Sequence, residues 1–184
     1  MGKKMIMVLG VVLIFTKLAS AGGTITNTAN LDYNDASGGT YTTADSCDLI
    51  LKTPPNIVIE KRGRNITRSG TYTDIVVGTS TEIVEYRVIL KNTGEETARF
   101  IIMMDTLPVG VTFQPDAYGT DMGIKVDDIA QTNQYEFADD KANYGKMPKT
   151  IIVGKNEGED NGNAVEIAID SGISVIILYQ VKID

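Results

Sequence analysis

The sequence predicts an all-β chain: a β-sandwich of about seven to eight strands with a detached strand or hairpin ahead of it. Three observations carry that expectation. Apolar and polar residues alternate with period two in one segment after another. Long runs with helical spacing are hard to find, and clusters of Gly, Pro, Asn, Asp and Ser punctuate the alternating segments.

The first 21 residues read as a signal peptide rather than a fold element. Lys3 and Lys4 precede an apolar run from Met5 to Phe15, and Ala19-Ser20-Ala21 supplies a small-x-small cleavage site before Gly22. The run is too short for a transmembrane span, and Gly22 rather than a cysteine follows the cut. A secreted chain without membrane span or lipid anchor is expected.

From Ile25 the odd positions Ile25, Asn27, Ala29, Leu31 and Tyr33 form a mostly apolar face, while Thr24, Thr26, Thr28, Asn30 and Asp32 form a polar one. Ala36-Ser37-Gly38-Gly39 supplies a turn. Tyr41 to Leu51 then alternates again, with Tyr41, Cys47, Leu49 and Leu51 on one side. Residues 22–52 thus read as an N-terminal strand or hairpin extension. Thr53-Pro54-Pro55-Asn56 reads as a linker, because proline cannot donate to a ladder and restricts the residue before it.

The body spans 57–184. Strands are expected at Ile57 to Lys61, Tyr72 to Val77, Glu82 to Lys91, Ala98 to Met104 and Val111 to Phe113. Residues 115–163 form an acidic insertion of loops around short pieces at Met122 to Val126, Gln134 to Phe137 and Thr150 to Val153, with one helical turn near Ala138 to Tyr144. Ala164 to Asp170 and Ser174 to Asp184 finish the chain, the last with Val175, Ile177, Tyr179, Val181 and Ile183 on its inner face.

Composition narrows the function. Of 184 residues, 163 remain after cleavage, enough for one domain with extensions. The 17 basic and 24 acidic residues give −7, and removing a signal with three lysines and no acid gives −10. Such a surface argues against nucleic acid and anionic membranes as partners. The chain has no histidine, which excludes Ser-His-Asp and Cys-His catalysis and the common zinc sites. No motif supports an enzyme; a deep pocket lined by two facing carboxylates would be needed to argue for one.

Other signals have plainer readings. Cys47, the single cysteine, cannot form an internal disulfide, and beside Leu49 and Leu51 a buried apolar thiol is expected. Asp127-Asp128, Asp139-Asp140 and the run Asn156 to Asn163 offer oxygen ligands for Ca²⁺, but none has the spacing of a calcium loop; a solvated acidic loop is expected and no cofactor is assigned. Asn65-Ile66-Thr67 is a glycosylation sequon on a polar turn. Arg62, Arg64 and Arg68 make the stretch Lys61 to Gly70 a basic, solvated loop.

The segment Ile83 to Gly94, containing Tyr86-Arg87-Val88-Ile89-Leu90-Lys91-Asn92-Thr93-Gly94, is followed by Asp105-Thr106-Leu107-Pro108-Val109-Gly110-Val111-Thr112-Phe113. This pair of motifs resembles the immunoglobulin-like repeat domains of bacterial and archaeal surface proteins. The resemblance implies an immunoglobulin-like sandwich at the cell surface. Repeats of that kind end in a strand of the form G-x-I-x-N-x-A-x-h-x-Y, matched here by Gly23, Ile25, Asn27, Ala29, Leu31 and Tyr33, but placed before the body.

That order implies a subunit that donates its first strand. The donor residues would be Ile25, Asn27, Ala29, Leu31 and Tyr33, and the acceptor groove would run along an unpaired final strand at Val175, Ile177, Tyr179, Val181 and Ile183. The expected function is a structural subunit of a secreted filament or pilus, its partner another copy of itself, serving adhesion, cell contact or a biofilm matrix. The alternative is a monomeric surface domain whose first strand closes its own sandwich. The residues between the two, 34–56, reach roughly 75 Å when extended, which permits it. A Lys61–Asn27 isopeptide bond, a kind of link found in some surface sandwiches, is not expected.

Overall fold

The computed structural model describes residues 22–133, 140–155, 163 and 165–184. The signal segment, the strand expected at Gln134 to Phe137, Asp139 and the acidic stretch 156–162 lie outside the described residues. The chain divides into two compact units, Met1–Thr53 and Pro54–Asp184.

In the first unit β1 (Thr24–Asn34) and β2 (Thr40–Ile50) pair antiparallel over all eleven residues, from Thr24 opposite Ile50 to Asn34 opposite Thr40. Asp35 closes the turn. Its Oδ1 accepts the amides of Ser37 and Gly39 at 2.9 and 2.8 Å, and its Oδ2 accepts the Tyr41 hydroxyl at 2.8 Å. Gly38 takes φ +89°, a conformation strained for residues with a side chain.

The second unit contains β3 (Ile57–Asn65), β4 (Ile83–Asn92), β5 (Met103–Thr106), β6 (Val111–Phe113), β7 (Ile124–Val126), β8 (Ile129–Gln131), β9 (Ala142–Tyr144), β10 (Thr150–Val153) and β11 (Ser174–Ile183). No α-helix occurs among the described residues. One sheet runs β3-β4-β11-β7-β8, with β6 also on β11; a second runs β5-β10-β9, and all these pairings are antiparallel. The two sheets share one apolar core. Val84, Val88 and Leu90 of β4 and Val175, Ile177, Tyr179 and Val181 of β11 meet Met103 of β5 and Ile151 and Val153 of β10. The body is therefore all-β and sandwich-like.

Several expected elements differ. Tyr72 to Val77 is not a strand; its ladder is the single bridge in which Gly63 and Thr73 exchange hydrogen bonds of 3.0 and 2.8 Å. Ala98 to Met104 becomes regular only at Met103, because Phe100 takes φ +54°, which interrupts extended backbone. Among the described residues of Ala164 to Asp170, Ile169 bridges Ala98 and no strand forms. Ala142 to Tyr144, expected in a helical turn, is β9, held by β10.

Asn92 ends β4 as more than a turn residue. It is fully buried, its Oδ1 accepts the amides of Asn56 and Gly94 at 3.1 and 3.0 Å, and its Nδ2 donates to the carbonyls of Glu96 and Ile169 at 2.7 and 2.9 Å. Gly94 serves this junction by its lack of volume, not by positive φ, since a Cβ there would lie 2.1 Å from the Pro54 carbonyl oxygen. Asn92→Ala removes four hydrogen bonds, two of them buried, and is expected to lower unfolding free energy by about 3 kcal/mol, read as a reduced urea midpoint at unchanged m-value.

Candidate assembly site

Residues directly opposite in an antiparallel pair point to the same side. The hairpin register sets Ile25 against Leu49, Asn27 against Cys47, Ala29 against Asp45, Leu31 against Thr43 and Tyr33 against Tyr41. The five expected donor residues therefore share one face with Tyr41, Cys47 and Leu49. Every residue of both strands is exposed, and the Tyr33 and Tyr41 rings stack with centroids 5.1 Å apart. Cys47 is exposed too, contrary to the buried thiol expected from its apolar neighbours, because the whole face to which it belongs is exposed.

The residues expected to form an acceptor groove line no open edge. β11 is an interior strand: β4 pairs with it from Ser174 to Lys182 on one side, and on the other β7 pairs with Ile177 to Tyr179 and β6 with Val181 to Ile183. Asp127 takes Ile176, its amide donating to the Ile176 carbonyl and its Oδ1 accepting the Ile176 amide, both at 2.8 Å, and the Gln114 amide donates to the Gln180 carbonyl at 2.9 Å. Val175, Ile177, Tyr179 and Val181 are buried and Ile183 is half-buried. The expectation of an open edge along the last strand fails because strands contributed by the acidic insertion and by Val111–Phe113 fill it.

Among the described residues the larger sheet ends at β3 and β8 and the smaller one at β5 and β9, and β3 and β5 are the longer edge strands of the two sheets. On β3, Asn56 points its carbonyl toward β4, accepting from the Thr93 amide at 2.8 Å, whereas Gly63 turns its groups away from β4 to Thr73. Backbone direction alternates along a strand, so Ile57, Ile59 and Lys61 also point their N–H and C=O groups away from β4. On β5 the Leu107 amide donates to Lys149 of the β10 side at 2.8 Å, so Met104 faces away. Lys61 Nζ lies 2.5 Å from Asp105 Oδ2, and the Tyr179 hydroxyl donates to the same oxygen. Lys61 thus has Asp105 as its partner.

Other singled-out residues are occupied within the body. The Asn65 side chain is buried, and its Nδ2 donates to the Val77 carbonyl at 3.1 Å and to Glu82 Oε2 at 2.8 Å, so the folded chain does not present that amide to solvent. Arg68 Nε pairs with Glu82 at 2.7 Å; donation from Arg68, Thr79 and Asn65 lowers the Glu82 carboxyl to about 2. Arg62 Nε is 2.9 Å from Glu60 Oε1. Asp127 serves the backbone of β11. Among the described residues no group of three or more acidic or cysteine side chains is placed to hold a metal ion.

One cluster escaped the sequence reading. Glu85, on the outer face of β4, is only 4 % exposed. It accepts from Arg64 at 2.6 Å, the Tyr72 hydroxyl at 2.6 Å, and the Tyr118 hydroxyl and Gln180 amide at 3.0 Å each. Arg87 stacks 4.2 Å from the Tyr72 ring centre. Burial alone would raise the Glu85 carboxyl, but donation from Tyr72, Gln180, Arg64 and Tyr118 outweighs it and holds the group below its ordinary value. Burial and the same carboxylate push Tyr72 up to about 12. The cluster gave no signal in the sequence, because Arg64 and Gln180 come from the two neighbouring strands and Tyr72 and Tyr118 from loops.

Comparison with protein-family models, with curated proteins and with solved structures finds no match to this chain.

A carboxyl lowered on folding contributes stability that is complete above its unfolded pKa, about 4.3, and is lost as pH falls through the depressed folded value. The unfolding free energy of the parent chain is expected to fall with acidification below about pH 4. Glu85→Gln should lower the neutral-pH value by about 2 kcal/mol and flatten that acid slope, as measured by urea titrations at a series of pH values.

Proposed function

We propose that this protein is the structural subunit of a secreted extracellular filament, a homopolymer in which the N-terminal segment of one copy completes the immunoglobulin-like sandwich of the next. The hairpin carries this reading. Both eleven-residue strands are exposed along their whole length, with Ile25, Leu31, Tyr33, Tyr41 and Leu49 on one face. An isolated two-stranded hairpin is marginal in water, and exposed apolar residues grouped at both ends of one of its faces mark an interaction surface. The resemblance of the β4 and Asp105–Phe113 motifs to repeats of cell-surface proteins, and the signal-like residues 1–21, support an extracellular destination.

Donor and acceptor are different surfaces of the subunit, so the contact is head-to-tail and propagates as a filament unless it closes into a ring. Adhesion, cell contact or a biofilm matrix are the roles such a fibre serves. To test it, the chain is expressed with residues 1–21 in a secreting host, recovered from the medium and imaged by electron microscopy at micromolar concentration. A chain beginning at Gly22 and forming uniform filaments is expected. Ala29→Lys and Leu31→Asp should each abolish filaments while leaving the unfolding midpoint of the body unchanged. Discrete monomers from the parent chain would instead mean a strand that closes its own sandwich.

A further inference from the structure

We infer that the accepting edge is β3, and that the segment added beside it is the β1–β2 hairpin of a second copy of this chain. This rests on the polymer reading above and names its second surface. Three observations converge on β3.

Its backbone is open. From Ile57 to Lys61 three residues turn both hydrogen-bonding groups away from β4, and the bridge to Thr73 begins only at Gly63. Either hairpin strand is long enough to cover that stretch, being eleven residues with one unpaired edge. Among the described residues the competing edges are shorter: β8 and β9 have three residues each and β5 four.

Its core-facing side is uncovered. Ile57 packs against the core and Lys61 reaches inward to Asp105, which places Ile59 between them on the same side of the strand. Ile59 is nevertheless 60 % exposed, and Val58 on the other side is 50 % exposed. An edge strand that shows apolar residues on both faces beside free amides is a template for strand addition. A hairpin paired there carries its apolar face over Ile59, continuing the inner side of the larger sheet.

Charge selects the occupant. Residues 22–50 contain Asp32, Asp35, Asp45 and Asp48 and no base, whereas β3 and β4 carry five bases (Lys61, Arg62, Arg64, Arg87, Lys91) against Glu60 and Glu85. Asp105 and Asp74 also lie against Lys61 and Arg62, so with these ion-pair partners the two strands carry five bases against four acids, one net positive charge in a chain of net charge −7. The hairpin of a second copy supplies the opposite sign along with the unpaired edge.

The test uses the secreted parent chain and two proline variants. Proline is tolerated on an edge strand where the lost N–H faces solvent, so Ile59→Pro removes an outward donor from β3 and Met104→Pro an outward donor from β5 without breaking a ladder. Expected are folded monomers from Ile59→Pro and undiminished filaments from Met104→Pro. Hydrogen exchange on the parent gives a second readout that needs no β3 variant. The amides of Ile57, Ile59 and Lys61 should exchange freely in the monomeric Leu31→Asp chain and slow by about a hundredfold or more in filaments. Filaments from Ile59→Pro, or fast exchange at these amides in parent filaments, would overturn the assignment to β3 while leaving the filament standing. A parent chain that stays monomeric overturns both.

Discussion

The pairing of β4 with β11 is the constraint on which the body depends. Nine residues of each strand lie opposite one another, Ser174 against Lys91 through Lys182 against Ile83. That register sets Val84, Val88 and Leu90 beside Val181, Ile177 and Val175 on the core side. A slip of one residue would turn every one of these side chains to the outer face. The same register places Gln180 opposite Glu85 on that outer face, where the carboxylate finds its donors. Both strands use their second edges as well. β3 closes one side of β4, and β6, β7 and Asp127 close the far side of β11. The two longest apolar ladders are thereby shielded from solvent and from other chains.

What could be read from the sequence follows from where the information lies. β1, β2, β4 and β11 are long enough for period two to stand out, and their extents match the alternating segments closely. β8 and β9 have three residues each, too few for any period, and they exist because β7 and β10 offer them ladders. Periodicity also identifies faces but not neighbours. Val175, Ile177, Tyr179 and Val181 were assigned the correct side of their strand and the wrong situation, since what fills the edge of β11 comes from short segments about 50 to 70 residues upstream.

Polar residues were the harder reading, for a physical reason. Asn65, Asn92 and Glu85 stand in stretches that read as turn or solvated face, and each is buried. Each can be buried because a loop brings donors or acceptors to it: Val77 and Glu82 to Asn65, Glu96 and Ile169 to Asn92, Tyr72 and Tyr118 to Glu85. A lone polar residue in a sequence looks hydrated by default, and only the folded loops show otherwise. The loop from Ile66 to Glu82 passes the edge of β3 at the Gly63–Thr73 bridge, with Tyr72 against Glu85 on the outer face and Val76 against the core.

The hairpin inverts this logic. The body satisfies its longest strands on both edges, while β1 and β2 satisfy one edge each and expose an apolar face. In the proposed joint, covering what remains exposed of Ile25, Leu31, Tyr33, Tyr41 and Leu49, each 40 to 58 % exposed, would stabilise by about 1 kcal/mol each, at the lower end of the roughly 4 to 15 kcal/mol that association costs. Area alone therefore leaves the joint near balance, and the decision falls to backbone hydrogen bonds along an added strand. Such bonds form only where an edge is free over several consecutive outward residues. The long central strands β4 and β11 are paired on both sides, so in the proposed polymer an edge strand must supply them, and an edge strand together with an exposed hairpin would be the two unlike surfaces that an open-ended polymer requires.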